Sequence, residues 1–172
     1  HLPSILSGCE LQSDLVEQAV KTSVQNCKSV PESAFEGSPY LTNVQLPSEI
    51  TSIGKNSFKN NRRLQALTLP SRITSIPEAM MQGDKQLQSI TVPSTVTTIG
   101  SLAFDECSSM KKVVLPASVK TLNSSAFQRC YNLEEVEIKG INTQINASAF
   151  NACYRLRKFK FPNDSTGVTV AG

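Results

Sequence analysis

The chain has 172 residues, of which 18% are charged and 39% hydrophobic, and a net charge of +3. This excludes a disordered polymer and a membrane-spanning chain: there is apolar surface enough for one elongated domain, and no apolar run reaches bilayer length. The mild positive charge is scattered instead of forming the continuous basic stripe that nucleic-acid binding requires, so the expected partners include neither nucleic acid nor membrane interior.

Residues 1–29 follow no repeat. Asp14 to Lys21 sets Leu15, Val16, Ala19 and Val20 on one helical face. Asp14 followed three residues later by Glu17 reads as an N-cap pair. The pattern predicts a short helix in an N-terminal cap over 1–29. The chain opens at His1 without a signal-peptide pattern, which reads as a mature form or an excised fragment. Cys9 and Cys27 stand in this region; an oxidising compartment would allow one bridge between them, tying cap to first coil, but connectivity is not readable from sequence.

From Val30 onward a strict period governs. Phe35, Phe58, Met81, Phe104, Phe127 and Phe150 are spaced by 23 residues, as are Pro47, Pro70, Pro93, Pro116, Lys139 and Pro162. Units begin at Leu41, Leu64, Leu87, Met110, Leu133 and, partially, Leu156. Each opens with an alternating strand, such as Val44 and Leu46 or Val113 and Leu115, which the proline ends. A second apolar pair follows (Ile50 and Ile53, Ile73 and Ile76, Val96 and Ile99, Val119 and Leu122). Asn142 interrupts its first column, beside Ile145. Gly54, Pro77, Gly100, Asn123 or Asn146 then enters a segment long enough for about one turn of irregular or 3₁₀ helix. No single unit buries its own apolar side, so the units must stack, at ~4.8 Å per coil. Met81 and Pro77 fall in one unit, which is therefore expected to be locally reshaped.

These residues resemble the BspA-like leucine-rich repeat, a 23-residue class of bacterial and protist surface proteins. Val92-Pro93, Ile99-Gly100, Ala103-Phe104 and Cys107 carry the match, which covers about residues 30 to 162. The resemblance implies an α/β solenoid: a right-handed coil stack with a parallel β-sheet, short helical turns and a helical cap. The solenoid is expected over 30–162, followed by a degenerate coil or cut end over 163–172 with Val168 in the isoleucine column. It further implies an extracellular or cell-surface, non-catalytic protein whose ligand is a protein or glycoprotein, of the adhesion type.

Cys107, Cys130 and Cys153 share one column, where earlier units carry Ser38, Asn61 and Asp84. They read as small side chains packed beneath the turn and hydrogen bonded to backbone. Their stacked Cβ bonds run parallel, which spoils a disulfide dihedral, and no fourth ligand completes a zinc site. The one histidine is His1, so no triad can be assembled inside the fold, and no phosphate loop is present. No catalytic residue and no cofactor are expected.

Binding surfaces are sought where the 23-step leaves residues free. The outward sheet face offers Thr68, Thr91, Lys112, Glu135, Glu137, Lys158 and Lys160, whose charges also fit a cross-strand ladder. The turn rim before each strand offers Tyr40, Arg62, Arg63, Tyr131, Tyr154 and Arg155, types that interfaces favour. Threonine rows such as Thr74 and Thr97 are explained by strand preference. Asn123, Asn146 and Asn163 head glycosylation patterns that matter only in a secreted eukaryotic chain.

Overall fold

The computed structural model describes residues 28–162 in full, together with the backbone of Ile5–Leu6, Cys9–Val16, Ala19–Gln25 and Thr169–Val170. The strands are β1 (Ile5–Leu6), β2 (Cys9–Val16), β3 (Ala19–Gln25), β4 (Ser29–Val30), β5 (Asn43–Gln45), β6 (Ser52–Ile53), β7 (Ala66–Thr68), β8 (Ser75–Ile76), β9 (Thr98–Ile99), β10 (Lys112–Leu115), β11 (Thr121–Leu122), β12 (Glu135–Ile138), β13 (Gln144–Ile145), β14 (Lys158–Lys160) and β15 (Thr169–Val170). They stack as a solenoid with a parallel ladder on two sides. The outer sheet holds β3-β5-β7 and β10-β12-β14; the second side holds β4-β6 and β8-β9-β11-β13-β15. From β4 through β13 every pairing steps by 23 residues, as in Val113↔Val136 and Leu122↔Ile145.

The core is the set of repeat columns. Leu41, Leu64, Leu87, Met110 and Leu133 are fully buried, as are Phe58, Met81, Phe104 and Phe127. Phe35 stacks on Phe58 at 5.0 Å, and Phe104, Phe127 and Phe150 stack at 4.9 and 5.6 Å. Such offset-stacked rings add about 0.5–1.5 kcal/mol per pair beyond their buried area. Met81 interrupts the ring stack, with Met80 buried beside it where other coils place Ser57, Ala103, Ala126 or Ala149.

The third side is a run of tight turns, and the expected helical or 3₁₀ turn does not form. Two residues per coil take left-handed φ: Ser33, Asn56, Ala79, Leu102, Ser125 and Ser148, then, four residues on, Gly37, Asn60, Gly83, Glu106, Arg129 and Ala152. Between them the N–H groups alternate in direction. Those of Ser33, Phe35 and Gly37 donate to Lys55, Ser57 and Lys59 carbonyls of the next coil, at 2.9, 2.7 and 2.7 Å. Those of Ala34, Glu36 and Ser38 fold back to Pro31, Ser33 and Phe35. With every second donor given to the neighbouring coil, no helical ladder can propagate. Gly100 is held to its type by close approach: an added Cβ would lie 2.6 Å from the Glu78 backbone nitrogen.

The expected cap helix is likewise replaced. β2 and β3 form an antiparallel hairpin with Asp14 opposite Lys21 and Leu15 opposite Val20. β3 then pairs in parallel with β5, Lys21↔Asn43 to Ser23↔Gln45. The sheet's first edge offers a full row of backbone partners, and the β-branched residues Val20, Thr22 and Val24 suit a strand, so pairing prevails over helical periodicity. The Cys9–Cys27 bridge lies outside the described residues, as does Val168. At the far end β15 sets Val170 opposite Ile145, so the column position expected at Val168 is taken two residues later.

One further column departs from its expected filling. Thr143, not Asn142, is the buried residue in line with Ile50, Ile73, Val96 and Val119. Its Oγ1 donates to the Val119 carbonyl at 2.8 Å, which settles the hydroxyl in the core. The one-residue shift turns Ile141 outward, 52% exposed.

Candidate binding surface

The outer sheet face carries the charged columns side by side because its strands are parallel and in register. Lys112, Glu135 and Lys158 are successive partners, as are Val114, Glu137 and Lys160. Lys112 and Lys158 reach Glu135 at 2.8 and 3.2 Å, and Lys160 reaches Glu137 at 3.8 Å. Hydrogen bonds from Lys112 and then Lys158 hold the Glu135 carboxyl below its ordinary range. The pairs are solvent-exposed and add little stability. Thr68 is exposed on β7, while Thr91 is exposed on a segment that forms no strand.

The rim is drawn together by the same repeat. Arg62, Tyr131 and Tyr154 occupy one column of the turn, and Tyr40, Arg63 and Arg155 the next. Tyr131 and Tyr154 stack at 5.9 Å while remaining 37% and 80% exposed. Arg155 is exposed next to Tyr154 in the chain, and Arg62 and Arg63 are exposed in the same two columns three coils before Tyr131. Tyrosine with arginine is the composition of interface anchors. The sheet face and the rim thus form adjoining strips along the stack.

Beneath the turn, the polar column behaves as a set of donors. Cys107, Cys130 and Cys153 thiols donate to the carbonyls of Met81, Phe104 and Phe127 at 3.3, 3.2 and 3.1 Å. Asn61 Nδ2 donates to the Phe35 carbonyl at 2.9 Å, again 26 residues back. All three cysteines are free thiols, and burial pushes the Cys107 thiol well above its ordinary range. Asp84 holds the same position, fully buried. Its Oδ1 accepts from the Asn61 N–H at 2.8 Å and its Oδ2 has no partner among the described residues. Burial pushes this carboxyl up to about 9, against the opposing Asn61 hydrogen bond. Among the described residues no group of three His, Cys, Asp or Glu side chains is placed to hold a metal ion.

Asp105 is also fully buried, but it is paired. Arg129 contacts it through two hydrogen bonds of 2.9 and 2.6 Å, and Gln82 donates to it at 2.8 Å. This joins three successive coils. Asn123 and Asn146, read as glycosylation patterns, spend their side chains on the ladder: Asn123 Nδ2 donates to the Ile99 carbonyl at 3.0 Å and Asn146 Nδ2 to Asn123 at 3.3 Å.

To outward residues that the repeat marks, such as Ser89, Thr91 and Lys112, the structure adds others that the sequence did not single out. Gln88, Ser89, Ser109, Lys111 and Asn132 line one open cavity of about 610 Å³. Ser89 also borders a second, of about 420 Å³, with Thr91, Lys112, Val114 and Lys139. Their signal would have been Lys139, the single non-proline among the six positions of its column.

Stacked parallel strands, buried leucine columns and tight connecting turns define a leucine-rich-repeat solenoid. The chain belongs to the BspA type leucine rich repeat family, whose model matches in six copies over residues 17–131 and 81–170. The crystal structure of a T. pallidum leucine-rich repeat protein superposes with a TM-score of 0.74 at 25% identity, covering 87% of this chain and 78% of that one. A leucine-rich repeat protein from Bacteroides ovatus gives 0.67 at 21% identity, covering 93% and 53%. A leucine rich cell surface protein from Faecalibacterium prausnitzii gives 0.54 at 22% identity, covering 94% and 39%. The chain therefore spans about half or less of the latter two. Comparison with curated proteins finds no match.

Proposed function

We propose that this chain is a non-catalytic protein-binding solenoid, working outside the cell or on its surface, with a protein or glycoprotein ligand. The observation that carries the proposal is the exposed Tyr131–Tyr154 stack beside Arg155, adjoining the outer sheet face. Residues that the repeat needs for its core are elsewhere, so this strip is free to serve recognition. The similarity to a leucine rich cell surface protein supports the location. A solid-phase binding array of extracellular-matrix and host-surface proteins tests the reading. Saturable binding weakened at least tenfold by Tyr154→Ala and Arg155→Ala supports it, and no saturable binding to any member overturns it.

A structural spacer is the second reading, favoured by the rod-like repeat. Light scattering separates the two, because end-to-end association with an inert array result supports the spacer.

A further inference from the structure

The outer sheet is interrupted at one coil. Ser89–Val92 lies one repeat step from Ala66–Leu69 and from Lys112–Leu115, yet it pairs with neither. The last rung before the gap is Gln88 N–H to the Gln65 carbonyl, 3.1 Å. Later coils continue that rung, Glu134 to Lys111 at 2.9 Å and Arg157 to Glu134 at 3.1 Å. No such bond joins Lys111 to Gln88, and none reaches the backbone N–H or C=O groups of Ser89, Ile90, Thr91 or Val92 among the described residues. Ile90 is correspondingly only half-buried, whereas Val44, Leu67, Val113 and Val136 in its column are buried.

The two cavities open at this interruption and meet at Ser89. Lys111 lines one of them; Lys112 and Lys139 line the other. Lys112 is paired with Glu135, but neither Lys111 nor Lys139 forms an ion pair among the described residues. Lys139 is also the residue that replaces proline in its column, and its N–H donates to the Leu115 carbonyl at 3.0 Å, a bond proline could not make.

The geometry points to a docking groove for an extended acidic peptide, which we propose crosses the coil at Ser89–Val92 with its carboxylates on Lys111, Lys139 and Lys112. The inference rests on the reading of the outer face as a protein-binding surface and names the ligand chemistry there. Unpaired N–H and C=O groups alternate along this segment at about the strand rise of 3.3 Å per residue. An occupant must supply both acceptors and donors at that repeat, which an extended polypeptide does. A sulfated glycan would answer the lysines through its sulfates without matching the backbone row. The lysines call for an acidic peptide, because the carboxylates of this face are already engaged, Glu135 by Lys112 and Lys158 and Glu137 by Lys160.

Fluorescence anisotropy with a labelled dodecapeptide of six Thr-Glu repeats tests the proposal, with six Thr-Lys repeats and low-molecular-weight heparin as comparison probes. Saturable binding of the Thr-Glu peptide is expected, and not of the Thr-Lys peptide. Lys111→Glu with Lys139→Glu should weaken it at least tenfold. Lys158→Glu with Lys160→Glu, outside the cavities on the same face, should change it less than threefold. Thr91→Pro removes an N–H that no ladder uses, so it should weaken peptide binding several-fold while leaving far-UV circular dichroism unchanged; if it unfolds the chain, the lysine variants decide alone. No binding of the Thr-Glu peptide, binding indifferent to Lys111 and Lys139, or heparin binding that alone is lost with those lysines, overturns the groove. If the peptide fails while a matrix or host-surface protein still binds through Tyr154, the groove falls and the protein-binding reading stands.

Discussion

The coil carrying Pro77, Met81 and Asp84 and the coils carrying Phe104 and Phe127 are built on one template, but they are held differently. The later coils have continuous pairing in the second sheet, and in the outer sheet from Lys112 onward, with stacked rings and a cysteine column that donates to backbone. In the earlier one, Pro77 has no N–H for the Ile53 carbonyl. The matching bonds Gly54 to Val30, Gly100 to Ile76 and Asn123 to Ile99 are all made, and the second sheet breaks between β6 and β8. The outer sheet breaks just after it, at Ser89–Val92 of the next unit. The turn side does not: Ala79, Met81 and Gly83 donate to Ser101, Ala103 and Asp105 at 2.9, 2.8 and 2.8 Å. Stacking order is thus carried through the weak coil by its turns and its core, and sheet pairing can lapse without ending the solenoid.

The largest effect is expected in the strong coils. Phe127→Ala empties a fully buried site between two stacked rings and should cost about 3–5 kcal/mol, read as a lower urea midpoint.

Next is Asp84→Asn, in the weak coil. The unfolded carboxyl ionises near 3.8 and the folded one near 9. Between those values the unfolded state binds fewer protons, so wild-type stability falls as pH rises, by up to about 1.4 kcal/mol per pH unit, and levels off above the folded value. The asparagine variant should lack this slope and be the more stable protein at pH 8, a difference that urea unfolding across pH 5–9 measures.

Met81→Phe adds volume beside the fully buried Met80 and should cost about 1–3 kcal/mol. Adding Met80→Ala reproduces the later coils and should recover most of that loss, so a double-mutant cycle with a clearly favourable coupling is expected.

The smallest change is Pro77→Asn, which supplies the missing donor as Asn123 does. It should gain about 0.5–1 kcal/mol, with new amide-exchange protection at position 77. If position 77 stays unprotected, the break between β6 and β8 has another cause than the lost donor.

The 23-step made the stack, its core columns and its register legible, and the shared unit of Pro77 and Met81 marked the coil that does depart. The cap was misread because Leu15, Val16, Ala19 and Val20 satisfy a helical face, whereas the deciding partner, β5, lies more than twenty residues away. Thr143 was missed for a similar reason: Asn142 holds the arithmetic position, but a hydroxyl able to reach the Val119 carbonyl is the better core residue. The rim and the charged ladder could be located from spacing, because strands in register bring equivalent positions together. The groove at Ser89 could not, since nothing in the residues 89–92 distinguishes a segment that pairs from one that does not.

The paired left-handed positions of the turn side impose a filter that no consensus displays. Twelve sites share a backbone conformation while holding glycine, serine, asparagine, alanine, leucine, glutamate and arginine. None is valine, isoleucine, threonine or proline, the types for which this conformation is most strained or barred. Drift along the repeat is therefore open to charge, size and polarity there but closed to branching at the β-carbon, so a profile of these columns would look unconstrained while the chain was still being selected at each of them.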